Sequence, residues 1–151
     1  MSTDLMRANR DTTLLAPQFR EMVIAALSEA QLMGVDLHIY EGFRSLERQQ
    51  YLWDSGRSRP GPIVTNAKPG QSAHNWGLAA DLVAKVDGKW SWDEKKVPYK
   101  KLVALYEKIG LKSLAPFELV HVEYTGKLRT SEMAEFVRLF GMDALWSAVF
   151  R

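Results

Sequence analysis

Cysteine is missing altogether from the 151 residues. That absence excludes disulfides, thiolate metal ligands and a cysteine nucleophile. Long apolar runs are missing too. No stretch approaches the roughly 18 consecutive apolar residues of a spanning helix, so membrane insertion is not expected. Nor is there an excess of either charge, since 20 Lys+Arg against 18 Asp+Glu leave only +2. So mild a balance gives no footing for nucleic-acid binding, though it would not oppose an anionic polymer. The opening MSTDLMRANRDTTLLAPQF lacks a charged start, an apolar core and a small-residue cleavage site. It does not read as a signal peptide. With 46% hydrophobic and 25% charged residues and no repeats, the expectation is one folded, monomeric domain over residues 1–151.

The apolar pattern divides the chain into elements. Phe19, Met22, Val23, Ala26, Ala30 and Met33 fall at helical spacing before Gly34, which predicts a helix over 18–33. Val35, Leu37 and Ile39 alternate with Asp36, His38 and Tyr40 as in a half-buried strand. Ser45 suits the N-cap of a short helix reaching Asp54. The stretch 56–71 holds three of the six prolines and three of the ten glycines, a long loop of the sort that is usually functional. Leu78–Val86, the turn Asp87-Gly88 and Lys89–Trp92 read as a hairpin. A helix over Tyr99–Ile109, a strand over Phe117–Tyr124 and a last helix ending before Gly141 complete the reading. Helices and hairpin strands mixed without βαβ regularity predict an α+β fold with a small, mostly antiparallel sheet and packed helices.

Three histidines are available for chemistry: His38, His74 and His121. His74 lies seven residues before Asp81 in SAHNWGLAAD, and His121 lies in ELVHVEY between Glu118 and Glu123. A catalytic zinc site uses three nitrogen or oxygen ligands and an open position, which two His and one Asp would supply. The His74–Asp81 spacing fits a hydrogen-bonded structural pair as readily. His38, with only Asp36 and Glu41 for company, reads as structural. The basic cluster Arg57, Arg59 and Lys68 reads as a solvated loop face, with a substrate carboxylate as its alternative partner. Trp90 and Trp92 read as packing residues before they read as stacking platforms.

Longer motifs sharpen this. Ser72, His74, Gly77, Ala79 and Asp81 form Ser-x-His-x-x-Gly-x-Ala-x-Asp, Glu118 stands three residues before His121, and Gly42-Phe43-Arg44-Ser45 precedes both. From about residue 14 to 124 the sequence resembles the zinc-dependent D-alanyl-D-alanine carboxypeptidases and L-alanyl-D-glutamate endopeptidases. The resemblance implies a D-Ala-D-Ala peptidase or Hedgehog-like fold with one zinc per chain on the sheet. It implies His74, Asp81 and His121 as metal ligands and Glu118 as general base. Arg44 becomes an oxyanion- or substrate-binding residue, and Ser72 a residue that orients substrate or loop. The loop wording favours the endopeptidase branch, acting on bacterial peptidoglycan as a phage endolysin held in the host cytoplasm until a holin releases it. A D-alanyl-D-alanine carboxypeptidase or dipeptidase and a non-catalytic zinc-binding wall module are the rival readings.

One point strains against strand geometry. Side chains alternate along a regular strand, so Glu118 and His121 would face opposite sides while His121 and Glu123 share one. Either the strand begins only after Glu118, as Pro116 suggests, or Glu123 is the base. The alternative role for Glu123 is to accept a hydrogen bond from a ligand histidine.

Overall fold

The computed structural model describes residues 3–151. Its elements are α1 (Pro17–Leu32), β1 (Leu37–Glu41), α2 (Leu46–Asp54), β2 (Ala79–Val86), β3 (Lys89–Ser91), α3 (Tyr99–Ile109), β4 (Lys112–Leu114), β5 (Glu118–Glu123), α4 (Thr130–Phe140) and α5 (Met142–Val149). Every strand pairing is antiparallel, in the order β1-β2-β5-β4 with β3 added to β2. The α+β expectation holds.

Local chemistry explains most element ends. Pro17 starts α1, where its missing N–H costs nothing. Phe19, Val23, Ala26 and Ala30 make its buried stripe. The Ser45 side chain accepts from the Arg48 N–H at 3.0 Å and caps α2 as expected. Asp87 and Gly88, at φ 53° and 77°, turn the β2–β3 hairpin in the left-handed conformation such two-residue turns require. Two elements went unforeseen. Lys112-Ser113-Leu114 is too short to show alternation, yet it pairs with β5 as β4. Gly141 closes α4 but also opens α5, which follows without a loop.

β2 organises the sheet. Along one edge it pairs with β1, and along the other with β5 through Ala79–Asp81 and then with β3 through Ala84–Val86. Ala80, Leu82 and Ala84 point into the core with Val122 of β5, beside the buried Phe19, Leu102 and Tyr106 of α1 and α3. By strand parity Asp81, Val83 and Lys85 take the opposite face. Helices therefore cover one side of the sheet, and the polar residues of its centre open on the other.

Candidate metal centre

His74 owes its position to a short 3-10 turn, Ala73–Trp76, between the long loop and β2. Ser72 Oγ accepts from the His74 N–H at 3.2 Å, and the Asn75 side chain returns a bond to the Ser72 backbone. Gly77 ends the turn at φ 68°, where a Cβ would stand 2.8 Å from the Leu14 carbonyl oxygen. Only glycine fits that close approach. From the far side Trp146 of α5 donates its indole N–H to the Trp76 carbonyl at 2.7 Å. His74 itself is buried, and its Nδ1 donates to the Gly42 carbonyl at 2.8 Å. That bond fixes the tautomer and leaves Nε2 directed at Asp81, 3.3 Å from its Oδ1.

Asp81 and His121 face each other as paired residues of β2 and β5. His121 Nδ1 lies 3.5 Å from Asp81 Oδ1, while His121 Nε2 donates to Glu123 Oε1 at 2.8 Å. One ligand atom each from His74, Asp81 and His121 falls within 4.8 Å of the others. At their centre Asp81 Oδ1 is buried and has no hydrogen-bond partner. Unpaired buried carboxylate oxygens are costly, and a cation held by all three side chains removes that cost. The donor set, two imidazoles and one carboxylate, fits a divalent transition metal.

Charges at the site confirm how tightly these groups are tied together. Burial works against the Asp81 charge, but the two imidazoles outweigh it and hold the carboxyl well below the usual range. Burial likewise works against a charged His121, yet Asp81 and Glu123 push its pKa up to about 9. Glu118 moves opposite to Asp81. Loss of water around its carboxyl and then repulsion from Asp81 raise its pKa, although the residue as a whole is exposed on the cleft wall.

Glu118 reaches the cleft by a route other than the one expected. It does not precede the strand: it is the first residue of β5 and pairs with Leu114. Ser113, however, pairs with Val122, so residues 119–121 have no counterpart on β4. That register shift breaks the alternation. Glu118, His121 and Glu123 all line one cleft of about 840 Å³, together with Arg44, Ser72, His74 and Asp81.

Arg44 is held beside Asp81 by residues that sequence reasoning missed. Its Nη2 donates to Glu41 Oε1 at 2.8 Å and lies 3.8 Å from Asp81 Oδ2, and its Nη1 donates to Gln49 Oε1 at 3.1 Å. Arg48 Nε donates to the other oxygen of Glu41 at 3.0 Å. The spacing Glu41, Arg44, Arg48 was visible at the strand-to-helix junction, and opposite charges so placed were the available signal. Of the basic loop residues Arg57 and Lys68 are exposed, as expected, and Arg59 is half-buried. Arg57 stacks 3.4 Å over Trp53 and Arg59 stacks 3.7 Å over Tyr51, each also donating to a backbone carbonyl of α2. His38 stands apart from the centre and bonds Asp36 at 2.7 Å.

Fold and cleft together define an α+β protein with a candidate metal centre on the open face of an antiparallel sheet. The chain belongs to the VanY D-alanyl-D-alanine carboxypeptidase family, whose model matches residues 12–113. It is 42% identical over 80 residues to the peptidoglycan L-alanyl-D-glutamate endopeptidase CwlK of Bacillus subtilis (strain 168), a match spanning 52% of this chain and 48% of that one. The chain thus aligns with about half the length of that relative. Among solved structures, VanYB in complex with D-alanine-D-alanine superposes with a TM-score of 0.59 at 22% identity, over 90% of this chain and 82% of that one. The LdcB LD-carboxypeptidase gives 0.58 at 20% identity, over 88% and 68%. These two likenesses cover more of the chain than the family match does.

Proposed function

We propose that the protein is a zinc peptidase of peptidoglycan stem peptides and that it cuts the L-alanyl-D-glutamate bond. One observation carries the peptidase reading: two histidines converge on the unpaired Asp81 Oδ1 in a cleft that also presents Glu118 and Arg44. A structural metal site closes its coordination with protein ligands and needs neither a base nor an open cleft. Similarity to CwlK supports the choice of bond.

His74, Asp81 and His121 would hold the zinc, which supplies Lewis acidity toward water and the scissile carbonyl when bound. Glu118 takes the proton from the attacking water and delivers it to the leaving amine. Its raised pKa makes it a better proton acceptor than an ordinary carboxylate, which suits the first half of that transfer. Glu123 keeps His121 oriented through the bond to Nε2. Arg44, clamped by Glu41 and Gln49, meets the charge that develops on the carbonyl oxygen. If Arg44 acts there, Arg44→Ala lowers kcat with little change in KM, whereas a rise in KM alone assigns it to a substrate carboxylate.

Family membership favours a second reading, removal of the terminal D-alanine. Digestion of purified murein with added zinc separates the readings by the ends produced. New N-terminal glutamate supports the endopeptidase, and release of free D-alanine alone supports the carboxypeptidase. Binding without release points to a non-catalytic wall module. From the sequence resemblance we place the activity in phage lysis from within. Expression in a bacterial cytoplasm with and without a pore-forming holin tests this, lysis only with the pore being the expected result.

A further inference from the structure

Beyond the metal centre, the open face of the sheet continues as an aromatic cluster. Tyr40 meets Trp90 and Trp92 edge to face, with ring centroids 5.2 and 5.1 Å away. The two tryptophans differ in what is left free. Trp90 is approached by the cations of Arg10 at 5.1 Å and Lys85 at 4.8 Å. Trp92 has no cation over it among the described residues, is 50% exposed and lines the same cleft as His74, Asp81 and His121.

The register fixes how far this ring lies from the chemistry. Ser91 pairs with Ala84, so Trp92 follows one residue on, level with Val83 and on the β2 edge that also carries His121. Val83 is two residues from Asp81, an advance of about 7 Å along a strand. In a stem peptide, the L-alanine beside the proposed scissile bond is joined to the lactyl group of an acetylated amino sugar. Extended, those two units also span about 7 Å, at roughly 3.5 Å each. With the peptide extended along β2 and its N-terminal end toward β3, the sugar ring nearest the cut would fall level with Trp92.

We infer that Trp92, edged by Tyr40, is the stacking platform for that amino-sugar ring, so that the cleft reads glycan as well as peptide. The inference rests on the endopeptidase reading, since a cut at the terminal D-alanine would leave the sugar several residues away. A flat indole face suits the axial C–H face of a pyranose, and its rigidity keeps the ordering cost of the contact low.

Kinetics on two substrates test it: a free stem peptide beginning with L-alanine, and the same peptide carrying its N-acetylmuramoyl group. The wild-type protein should show a lower KM for the muramoyl peptide. Trp92→Ala should raise that KM by about 3- to 10-fold, the worth of one aromatic contact, with kcat unchanged. KM for the free peptide should not move, and Trp92→Phe should recover most of the loss. A Trp92→Ala protein with an unaltered preference overturns the inference, as does an equal rise in KM for both substrates, which would place peptide on the ring. Product termini keep the two failures apart. Cleavage before glutamate without sugar preference sinks the subsite alone, whereas release of D-alanine from both substrates sinks the endopeptidase reading and the subsite with it.

Discussion

Two carboxylates, the buried Glu41 and the half-buried Asp81, stand opposite each other as paired residues of β1 and β2, and they are treated in opposite ways. Glu41 is 3% exposed and has both oxygens engaged, by Arg44 at 2.8 Å and Arg48 at 3.0 Å. Asp81 Oδ1 has two imidazoles at 3.3 and 3.5 Å and no hydrogen bond. The first group is finished by folding. The second is the group that a bound cation would finish. A strand pair thus sets a permanent ion cluster beside an exchangeable one, and the permanent cluster holds the arginine that both share.

The largest effect should come from breaking the exchangeable side. Asp81→Asn, His74→Ala and His121→Ala should each lose bound zinc and nearly all activity by metal analysis and peptide release. His38→Ala, outside the cleft, should keep one zinc per chain. Retention of zinc by His74→Ala would reject the ligand set.

Glu118 and Glu123 come next, because they separate proton transfer from ligand support. Glu118→Gln should lower kcat by about 10²–10⁴ with zinc still bound. Glu123→Gln should weaken zinc affinity by about 10–100-fold and regain activity at saturating zinc. The reverse order at saturating zinc would make Glu123 the base.

On the permanent side, Glu41→Gln leaves two guanidiniums without their shared partner and should destabilise the fold by about 3–5 kcal/mol in urea titration. Burial raises the Glu41 pKa, but Arg44 and Arg48 outweigh it and the net shift is downward. Its contribution is therefore present above the unfolded glutamate value near 4.5 and lost as pH falls through the lower folded value. The acid limb of the stability curve should flatten in Glu41→Gln.

The last effect is a pH dependence. In the metal-free protein His121 titrates near 9 against 6.5 when unfolded. The stabilisation from its proton is thus complete below 6.5 and lost as pH rises through 9. Zinc competes with that proton, so affinity should climb by up to about tenfold per pH unit across that window. A flat profile by calorimetry would show that His121 binds no proton that zinc must displace.

Most of this molecule could be read from periodicity and short motifs. The stripe of α1, the Ser45 cap and the Asp87-Gly88 turn follow from local rules that the fold leaves intact, and the pairing of His74 with Asp81 comes from the resemblance of the longer motif. What escaped were features that exist only between distant segments. β4 is a strand because β5 pairs with it, not because Lys112-Ser113-Leu114 demands it. The register shift that brings Glu118 and His121 into one cleft is a property of two strands together, so parity applied to one strand misjudged it. The charges of Arg57 and Arg59 are legible in a sequence, whereas the aromatic faces of Trp53 and Tyr51 beneath them are not.

The loop carrying those arginines has a thermodynamic consequence. It is fastened by Ser55 Oγ donating to the Pro62 carbonyl at 2.6 Å, Arg57 to the Thr65 carbonyl at 3.1 Å and Gln49 to the Ala67 carbonyl at 2.8 Å. Each fastening removes backbone freedom during folding, at a stage before any ligand arrives. A cleft wall already ordered leaves little loop entropy to be lost on association, so peptide binding should proceed without the induced ordering that slows capture by flexible-lidded sites. The same rigidity denies a protease the locally unfolded stretch it needs, despite the length and exposure of the segment.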